Sequence, residues 1–114
     1  MTKRELQLEE NNACLELFNS ACREYYETER EIKYNIKPKR LRSCTAKVFE
    51  TEHYYLLQSY ETLIAAVRKS DNALADALRH EYDYTATSAQ HIAKFMHDYT
   101  PYPWNSARFT YRKI

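Results

Sequence analysis

The sequence predicts an α+β domain with a long N-terminal helix, a small antiparallel sheet of about three strands, a C-terminal helix and an extended tail. Apolar residues recur at helical spacing from residue 3 to residue 31, and a second helical pattern runs from 87 to 99. Between the two patterns, short runs rich in aromatic and β-branched residues are typical of strands. The 114 residues suit one domain, 1–114, which buries about two-thirds of its unfolded surface.

The N-terminal segment, residues 1–32, contains the first predicted helix over 3–31. Thr2 is the expected cap, since Glu5 follows three residues later and completes a capping box. We expect the apolar stripe of this helix to pack on the rest of the domain, because burial of such a face supplies most of a helix's stability. Packing on a second copy of the chain is the alternative. The stripe comprises Leu8, Leu15, Phe18, Cys22 and Tyr25.

A basic connector, residues 33–47, separates this helix from the segment 48–99, which holds the sheet and the second helix. Asn35 and Pro38 interrupt any helix in the connector, and the residue before a proline is biased toward extended geometry. A turn signal follows the strands at residues 70–72, because Asn and Asp tolerate positive φ where glycine is absent. The predicted strand segments are 48–49, 53–60 and 62–67.

The segment 73–82 is open to two interpretations. Its Ala-rich start has strong helix propensity, and Leu74, Leu78 and Tyr82 would share one helical face. As a strand it alternates poorly, because Asp76 would lie on the same face as two leucines. Local propensity therefore favours a helix slightly.

Residues 87–99 form the second predicted helix. Thr87 is the expected cap, with Gln90 at the spacing of a capping box. The tail, residues 100–114, is rich in aromatic and basic residues and too apolar for simple disorder. We expect it to dock as an extended edge segment. The predicted buried stripe of the helix comprises Ile92, Phe95, Met96 and Tyr99.

The chain contains no glycine, which excludes several catalytic and nucleotide-binding motifs. Loops that approach a phosphate closely or turn with positive φ normally need glycine, so the P-loop, the dinucleotide-binding turn and the nucleophile elbow are ruled out. The four histidines and three cysteines lack metal-ligand spacing. We therefore expect no catalytic residues, no metal and no cofactor. Free, mostly buried thiols and an N-terminus without an apolar signal segment favour a cytoplasmic location.

Charge is distributed unevenly along the chain. Residues 1–31 contain eight glutamates against four basic residues, whereas residues 32–49 contain six basic residues and no acid. Together with the basic tail, this stretch could contact the phosphates of a nucleic acid. A solvated connector, or one neutralised by the acidic helix, is the alternative. The candidate nucleic-acid residues are Lys37, Lys39, Arg40, Arg42, Lys47, Arg108 and Arg112.

Two segments resemble a known pattern. Residues 59–65 read S-Y-E-T-L-I-A and resemble S-Y-x-T-x-[IV]-A, and residues 84–95 resemble Y-[ST]-x-T-[TS]-x-x-H-I-x-x-F. In this order the pair resembles a family of small uncharacterised domains encoded by phages and mobile elements of Firmicutes-type bacteria. The resemblance covers 54–99 and implies a strand, a hairpin and then a helix, which favours a strand within 73–82. It implies a genetic setting and no particular activity.

His91 lies in the first turn of the second predicted helix. An isolated histidine without a paired acid or nucleophile is weak evidence for catalysis. We therefore expect His91 to tie the helix to the sheet by a hydrogen bond. Contact with an anionic ligand near the start of the helix is the alternative.

The leading functional hypothesis is a non-catalytic phage or mobile-element protein that binds and occludes a host protein. The eleven tyrosines support it, since tyrosine is favoured at interfaces, and the genetic setting implies a CRISPR or other defence nuclease as target. A monomer or a homodimer in the bacterial cytoplasm is expected. A nucleic-acid-binding accessory protein is the alternative. The candidate partner-binding residues are Glu9, Glu16, Glu24 and Glu27 on the helix, and Tyr54, Tyr55, Tyr82 and Tyr84 on the sheet.

Overall fold

Two helices cover opposite faces of one sheet. The computed structural model describes residues 2–32, 39–40, 45–82, 85–101 and 107–113. Neighbouring strands along the chain are also neighbours in the sheet, and every pair is antiparallel except the last, β5 with β6. The elements are α1 (Lys3–Ile32), β1 (Lys39–Arg40), β2 (Ala46–Glu50), β3 (Tyr54–Ser59), β4 (Thr62–Arg68), β5 (Ala73–Asp76), α2 (Leu78–Glu81), α3 (Ala86–Tyr99) and β6 (Arg108–Thr110).

The predicted α+β class and both long helices are confirmed. The predicted strand count was too low, because the sheet has six strands within the described residues. The strands that were missed or left undecided, β1, β5 and β6, are at most four residues long and carry little periodic signal of their own. Much of the basic connector, together with residues 102–106 of the tail, lies outside the described residues.

Both faces of the sheet are buried, which explains why the central strands are continuous apolar runs. On one face, Leu57, Val67 and Leu74 pack with Ile92 and Phe95 of α3. The opposite face, which α1 covers, includes small side chains on β4 and β5. These small residues are Ala66, Ala73 and Ala75. They lie in one core cluster with four residues of α1, which are Cys14, Leu17, Phe18 and Ala21.

A β-bulge lies in β4 close to the hairpin that joins it to β3. Leu57 pairs with Ala65, whereas the next residue, Gln58, pairs with Leu63. Ile64 is thus the extra residue, and Ile64 and Ala65 both join the cluster on the α3 face. A bulge of this kind bends a strand and increases its local twist.

Side chains of α1 satisfy the outer edge of β6. Gln7 Nε2 donates to the Thr110 carbonyl oxygen at 3.1 Å, and the Thr110 N–H donates to Glu10 Oε2 at 3.2 Å. Asn11 makes a reciprocal pair with Arg112, donating from Nδ2 to its carbonyl oxygen at 2.8 Å and accepting from its N–H at 3.0 Å. The predicted edge docking of the tail is therefore confirmed, and an edge that could recruit another strand is blocked.

The segment 73–82 contains both a strand and a helix, the two structures between which the sequence did not decide. Residues 73–76 form β5, and residues 78–81 form α2. Asp76 ends the strand, and its Oδ1 accepts from the Leu78 N–H at 3.3 Å. All residues of β5 are buried between the helices, so burial overrides the helix propensity of the alanines.

The predicted cap of α3 is wrong by two residues. The helix begins at Ala86, and the hydroxyl of Thr85 accepts from the Ser88 N–H at 3.1 Å. Thr87 is exposed and lies inside the first turn. The predicted helix end is confirmed, with Thr100 as the C-terminal cap.

Candidate functional site

Three tyrosines stand out among the exposed side chains. Tyr26, Tyr60 and Tyr82 are 56%, 49% and 46% exposed, and they line two neighbouring grooves. Tyr26 lines a groove of about 360 Å³ between α1 and the β3–β4 hairpin. Tyr60 and Tyr82 line a second groove of about 530 Å³ on the other side of the hairpin tip. Both grooves include Glu61 and Thr62. We call Tyr26, Lys47, Tyr60, Glu61, Thr62 and Tyr82 the tyrosine surface.

Tyr60 is held at the tip of a tight hairpin. Ser59 pairs with Thr62, so Tyr60 and Glu61 form a two-residue loop. Tyr60 has φ 58°, a left-handed conformation that is unfavourable for a bulky side chain. Its N–H donates to the Thr45 carbonyl oxygen at 2.7 Å, which ties the hairpin to the start of β2.

A buried polar cluster lies behind the hairpin. Ser59 Oγ is 2.8 Å from His91 Nδ1 and 3.0 Å from Ser88 Oγ, while Thr45 Oγ1 is 3.4 Å from His91 Nε2. Burial, together with the charge of Lys94, lowers the pKa of His91. The expected tie between helix and sheet is confirmed. Because Ser59, Ser88 and His91 are almost fully buried, the cluster supports the hairpin rather than presenting a reactive group.

The tyrosines predicted on the sheet do not form one surface. Tyr54 and Tyr55 are consecutive in β3, so they point to opposite faces. Tyr54 packs against the α1 cluster, and the Tyr55 ring lies 4.9 Å from that of Tyr99. Both are half-buried at the rim of the core, and their role in partner binding stays a prediction. Tyr82, which was predicted on the sheet, lies at the end of α2 and is exposed, and Tyr84 lies outside the described residues.

The sequence patterns did not single out Tyr26 and Tyr60, the other two exposed tyrosines. Tyr60 lies where two predicted strands meet, and a two-residue connection between strands normally exposes its side chains. That signal was available in the sequence. Tyr26 directly follows the predicted stripe residue Tyr25, so it lies off the core-facing side of α1. Its position beside the hairpin depends on how α1 crosses the sheet.

Three of the four predicted glutamates lie on the outer side of α1. Glu9, Glu16 and Glu27 are exposed and are separated by about two and about three helical turns. They form a solvated acidic stripe away from the core. Glu16 also lines a small groove with Arg68.

Glu24, the fourth predicted glutamate, is engaged within the chain. Its Oε1 lies 2.5 Å from His53 Nδ1, and its Oε2 accepts from the His53 N–H at 3.0 Å and from the Thr51 hydroxyl. Burial opposes ionisation of Glu24, but these hydrogen bonds outweigh it and lower the pKa of the carboxyl. The same contact raises the pKa of His53. Glu24 therefore fastens α1 to the β2–β3 turn, whereas its predicted contact with a partner stays a prediction.

Among the described residues, the strands that carry the predicted basic residues lie at opposite edges of the sheet, and a combined nucleic-acid patch stays a prediction. Lys39 and Arg40 form β1 at one edge of the sheet, with Arg40 opposite Lys47 of β2. Arg108 lies in β6 at the other edge, and Arg112 follows it. Lys37 and Arg42 lie outside the described residues.

Arg108, another predicted nucleic-acid contact, forms an ion pair within the chain. Its Nη2 donates to Asp76 Oδ2 at 2.7 Å, and the side chain of Asp76 is only 5% exposed. A buried carboxylate needs such a partner because the charge is otherwise poorly solvated. The side chain of Arg112, by contrast, is exposed.

Two of the thiols, those of Cys14 and Cys22, lie within the described residues and are free. Cys14 is buried and Cys22 is half-buried. Burial raises the pKa of Cys14 to about 12 and that of Cys22 to about 11, and the charges of Asp76 and Glu81 add to these respective shifts. Among the described residues, no group of three or more His, Cys, Asp or Glu side chains is arranged to hold a metal ion. Cys44 lies outside the described residues.

Comparison with protein families, curated proteins and solved structures gives no significant match. None of the helices in the described ranges is both long enough and apolar enough to cross a membrane. The function is therefore inferred from the surface chemistry of the chain itself.

Proposed function

We propose that this chain is a non-catalytic interaction protein that binds another protein through the tyrosine surface. The observation that carries the proposal is the convergence of Tyr26, Tyr60 and Tyr82 around one hairpin tip. Among the described residues, only Leu6 and Leu8 are other large apolar side chains with comparable exposure. Tyrosine gives a large contact area at a low cost in side-chain entropy, so it is frequent among residues that dominate binding energy.

The backbone at Tyr60 supports the same proposal. A tyrosine with φ 58° sits in a conformation that Asn or Gly would adopt more easily. Strain of this kind costs about 1–3 kcal/mol and clusters at functional sites. Retaining tyrosine at this position is consistent with a use for its side chain outside the fold.

Aromatic packing behind the tyrosine surface favours side chains of Tyr26 and Tyr60 that are ordered before a partner binds. The Tyr26 ring lies 5.1 Å from that of Tyr25, which in turn lies 5.0 Å from Phe49. The Tyr60 ring lies 6.1 Å from that of His91. Anchors that are already ordered lose less entropy on binding, which raises affinity without additional contacts.

A bacterial host protein is the proposed target, and a CRISPR or other defence nuclease is the class to test first. The resemblance of residues 54–99 to phage and mobile-element domains is the reason for this choice. The exposed stripe of Glu9, Glu16 and Glu27 would help to steer the protein toward a basic nucleic-acid-binding surface.

Site-specific photocrosslinking in a bacterial lysate tests the proposal. A benzophenone amino acid in place of Tyr82 is expected to form a discrete crosslinked product with one protein, which mass spectrometry identifies. The same group in place of Leu8, an exposed apolar side chain on the N-terminal part of α1, is the control. Absence of a product from Tyr82, or an identical product from both positions, would contradict the proposal.

Nucleic-acid binding is the second candidate function. Lys47 lines the same groove as Tyr60 and Tyr82, and aromatic side chains beside basic ones suit single-stranded nucleic acids. A titration of single-stranded DNA and RNA against salt separates the two functions. The protein-binding proposal expects no binding at low salt, whereas a steep loss of affinity with added salt would favour phosphate contacts.

A further inference from the structure

The groove beside Tyr26 differs in chemistry from its neighbour. It lies between α1, the β3–β4 hairpin and α2, and we call it the acidic groove. Its apolar part includes the buried side chain of Phe18. Two carboxylates from separate elements stand around it. The other residues that line the groove include Asn19, Cys22, Tyr26, Glu61, Leu63 and Glu81.

The acidic groove carries negative charge. Glu61 comes from the hairpin and Glu81 from α2, and neither lysine nor arginine is among the described side chains that line the groove. Glu81 Oε1 lies 3.1 Å from His80 Nδ1. The pKa of Cys22 is raised to about 11, mainly by burial and further by the charge of Glu81. The carboxylate of Glu81 thus acts on the interior of the groove.

A long basic side chain fits this arrangement of groups. Its methylene stem would lie along Leu63 and Cys22, in the way that basic side chains bury their stems and leave their charge near the surface. The exposed ring of Tyr26 offers a face for a cation. The carboxylates of Glu61 and Glu81 offer acceptors for charge-assisted hydrogen bonds.

We propose that the acidic groove receives an arginine side chain of the protein partner. Arginine is preferred to lysine because a planar guanidinium can stack on an aromatic ring while it donates two parallel hydrogen bonds to a carboxylate. This inference rests on the proposed function, since it specifies the chemistry of the partner at the same surface. The second groove, with Lys47, would favour a neutral or acidic neighbour of that arginine.

An NMR titration with a small probe tests the groove without the partner. N-acetyl-arginine N-methylamide is added to ¹⁵N-labelled protein, and the corresponding citrulline compound, which has nearly the same shape and no charge, serves as the control. We expect concentration-dependent shifts at the amides of Cys22, Thr62 and Leu63 that are at least threefold larger with arginine. Equal shifts from both compounds, or shifts spread over the whole surface, would overturn the inference.

Charge-neutralising variants complete the experiment. The double variant Glu61→Gln/Glu81→Gln is expected to lose most of the arginine-dependent shift, whereas Glu9→Gln/Glu16→Gln, on the outer stripe of α1, retains it. Retention of the full shift by the groove variant would also overturn the inference.

The two proposals can fail separately. If tyrosine variants such as Tyr26→Ser/Tyr82→Ser lose affinity for the crosslinked partner while Glu61→Gln/Glu81→Gln binds it normally, the arginine inference is wrong and the binding surface stands. If the tyrosine variants also bind normally, the proposed function is wrong. A loss of at least tenfold in both sets supports both proposals.

Discussion

At the scale of single residues, Tyr60 combines an unfavourable backbone with an exposed side chain. Its φ of 58° is one that asparagine tolerates better than tyrosine. We therefore expect Tyr60→Asn to raise the free energy of unfolding by about 1 kcal/mol while it weakens partner binding. Chemical denaturation measures the change, and Tyr82→Asn, at an exposed position with an extended backbone, is expected to leave stability within about 0.5 kcal/mol. A destabilised Tyr60→Asn would contradict this explanation.

The titration of His91 is a second property of a single residue. Burial, aided by Lys94, lowers the pKa of His91 in the folded chain, so the unfolded chain binds more protons in the acidic range. Its contribution to stability is present above the unfolded pKa of about 6.5 and is lost as the pH falls through the folded pKa. We expect the unfolding free energy to decline less steeply with acidification in His91→Gln than in the unmodified protein. If the unfolding free energies of the two proteins declined in parallel with pH, the pH dependence assigned to His91 would be contradicted.

The pKa shift of His53 has the opposite sign to that of His91. Its hydrogen bond and ion pair with Glu24 raise its pKa, so its contribution is present below the unfolded pKa and declines as the pH rises through the folded pKa. The unfolding free energy of a His53→Gln variant, measured over the same pH range, separates the contribution of His53 from that of His91.

At the scale of elements, the cap of α3 can be tested with two threonines that lie two positions apart. Thr85→Ala removes the hydroxyl that accepts from Ser88 and is expected to cost about 1 kcal/mol of unfolding free energy. Thr87→Ala is the matched control and is expected to change stability little, because Thr87 is exposed within the first turn. Equal losses from both variants would contradict the observed cap.

The edge strand β6 provides another matched pair. Asn11 is buried and satisfies two backbone groups of Arg112, whereas Asn12 is exposed. Asn11→Ala is expected to cost about 1–3 kcal/mol, because it leaves polar groups without partners, and to accelerate amide exchange at Arg112. Asn12→Ala should do neither. Unchanged protection at Arg112 in Asn11→Ala, or an equal loss in both variants, would contradict the role assigned to Asn11.

The elements that the sequence predicted well have strong periodic signals, as in the stripe of α1 that includes Phe18 or the aromatic run of β3. Short elements depend on tertiary contacts instead. β6 has only three residues and is stabilised by Gln7 and Glu10, which bond Thr110 from about a hundred positions earlier in the chain. The cap was misplaced because Gln90 gives Thr87 the spacing of a capping box, whereas the observed start of the helix makes Thr85 the cap.

At the scale of the whole molecule, the tyrosine surface is a product of the layered architecture. Tyr26, Tyr60 and Tyr82 come from α1, the β3–β4 hairpin and the end of α2. They meet because α1 crosses one face of the sheet beside the hairpin tip. No local pattern in the sequence encodes that crossing, which is why the predicted tyrosines were Tyr54, Tyr55, Tyr82 and Tyr84 and did not include Tyr26 or Tyr60.

The most direct test of the tyrosine surface is the affinity of a double variant for the crosslinked partner, measured by isothermal titration calorimetry. Tyr26→Ser/Tyr82→Ser removes two anchors and leaves the hairpin backbone unchanged, while Leu6→Ser/Leu8→Ser removes a similar exposed apolar area elsewhere. We expect the tyrosine variant to bind about a hundredfold more weakly and the leucine variant to bind normally. Unchanged binding by the tyrosine variant, or an equal loss in both, would contradict binding through this surface.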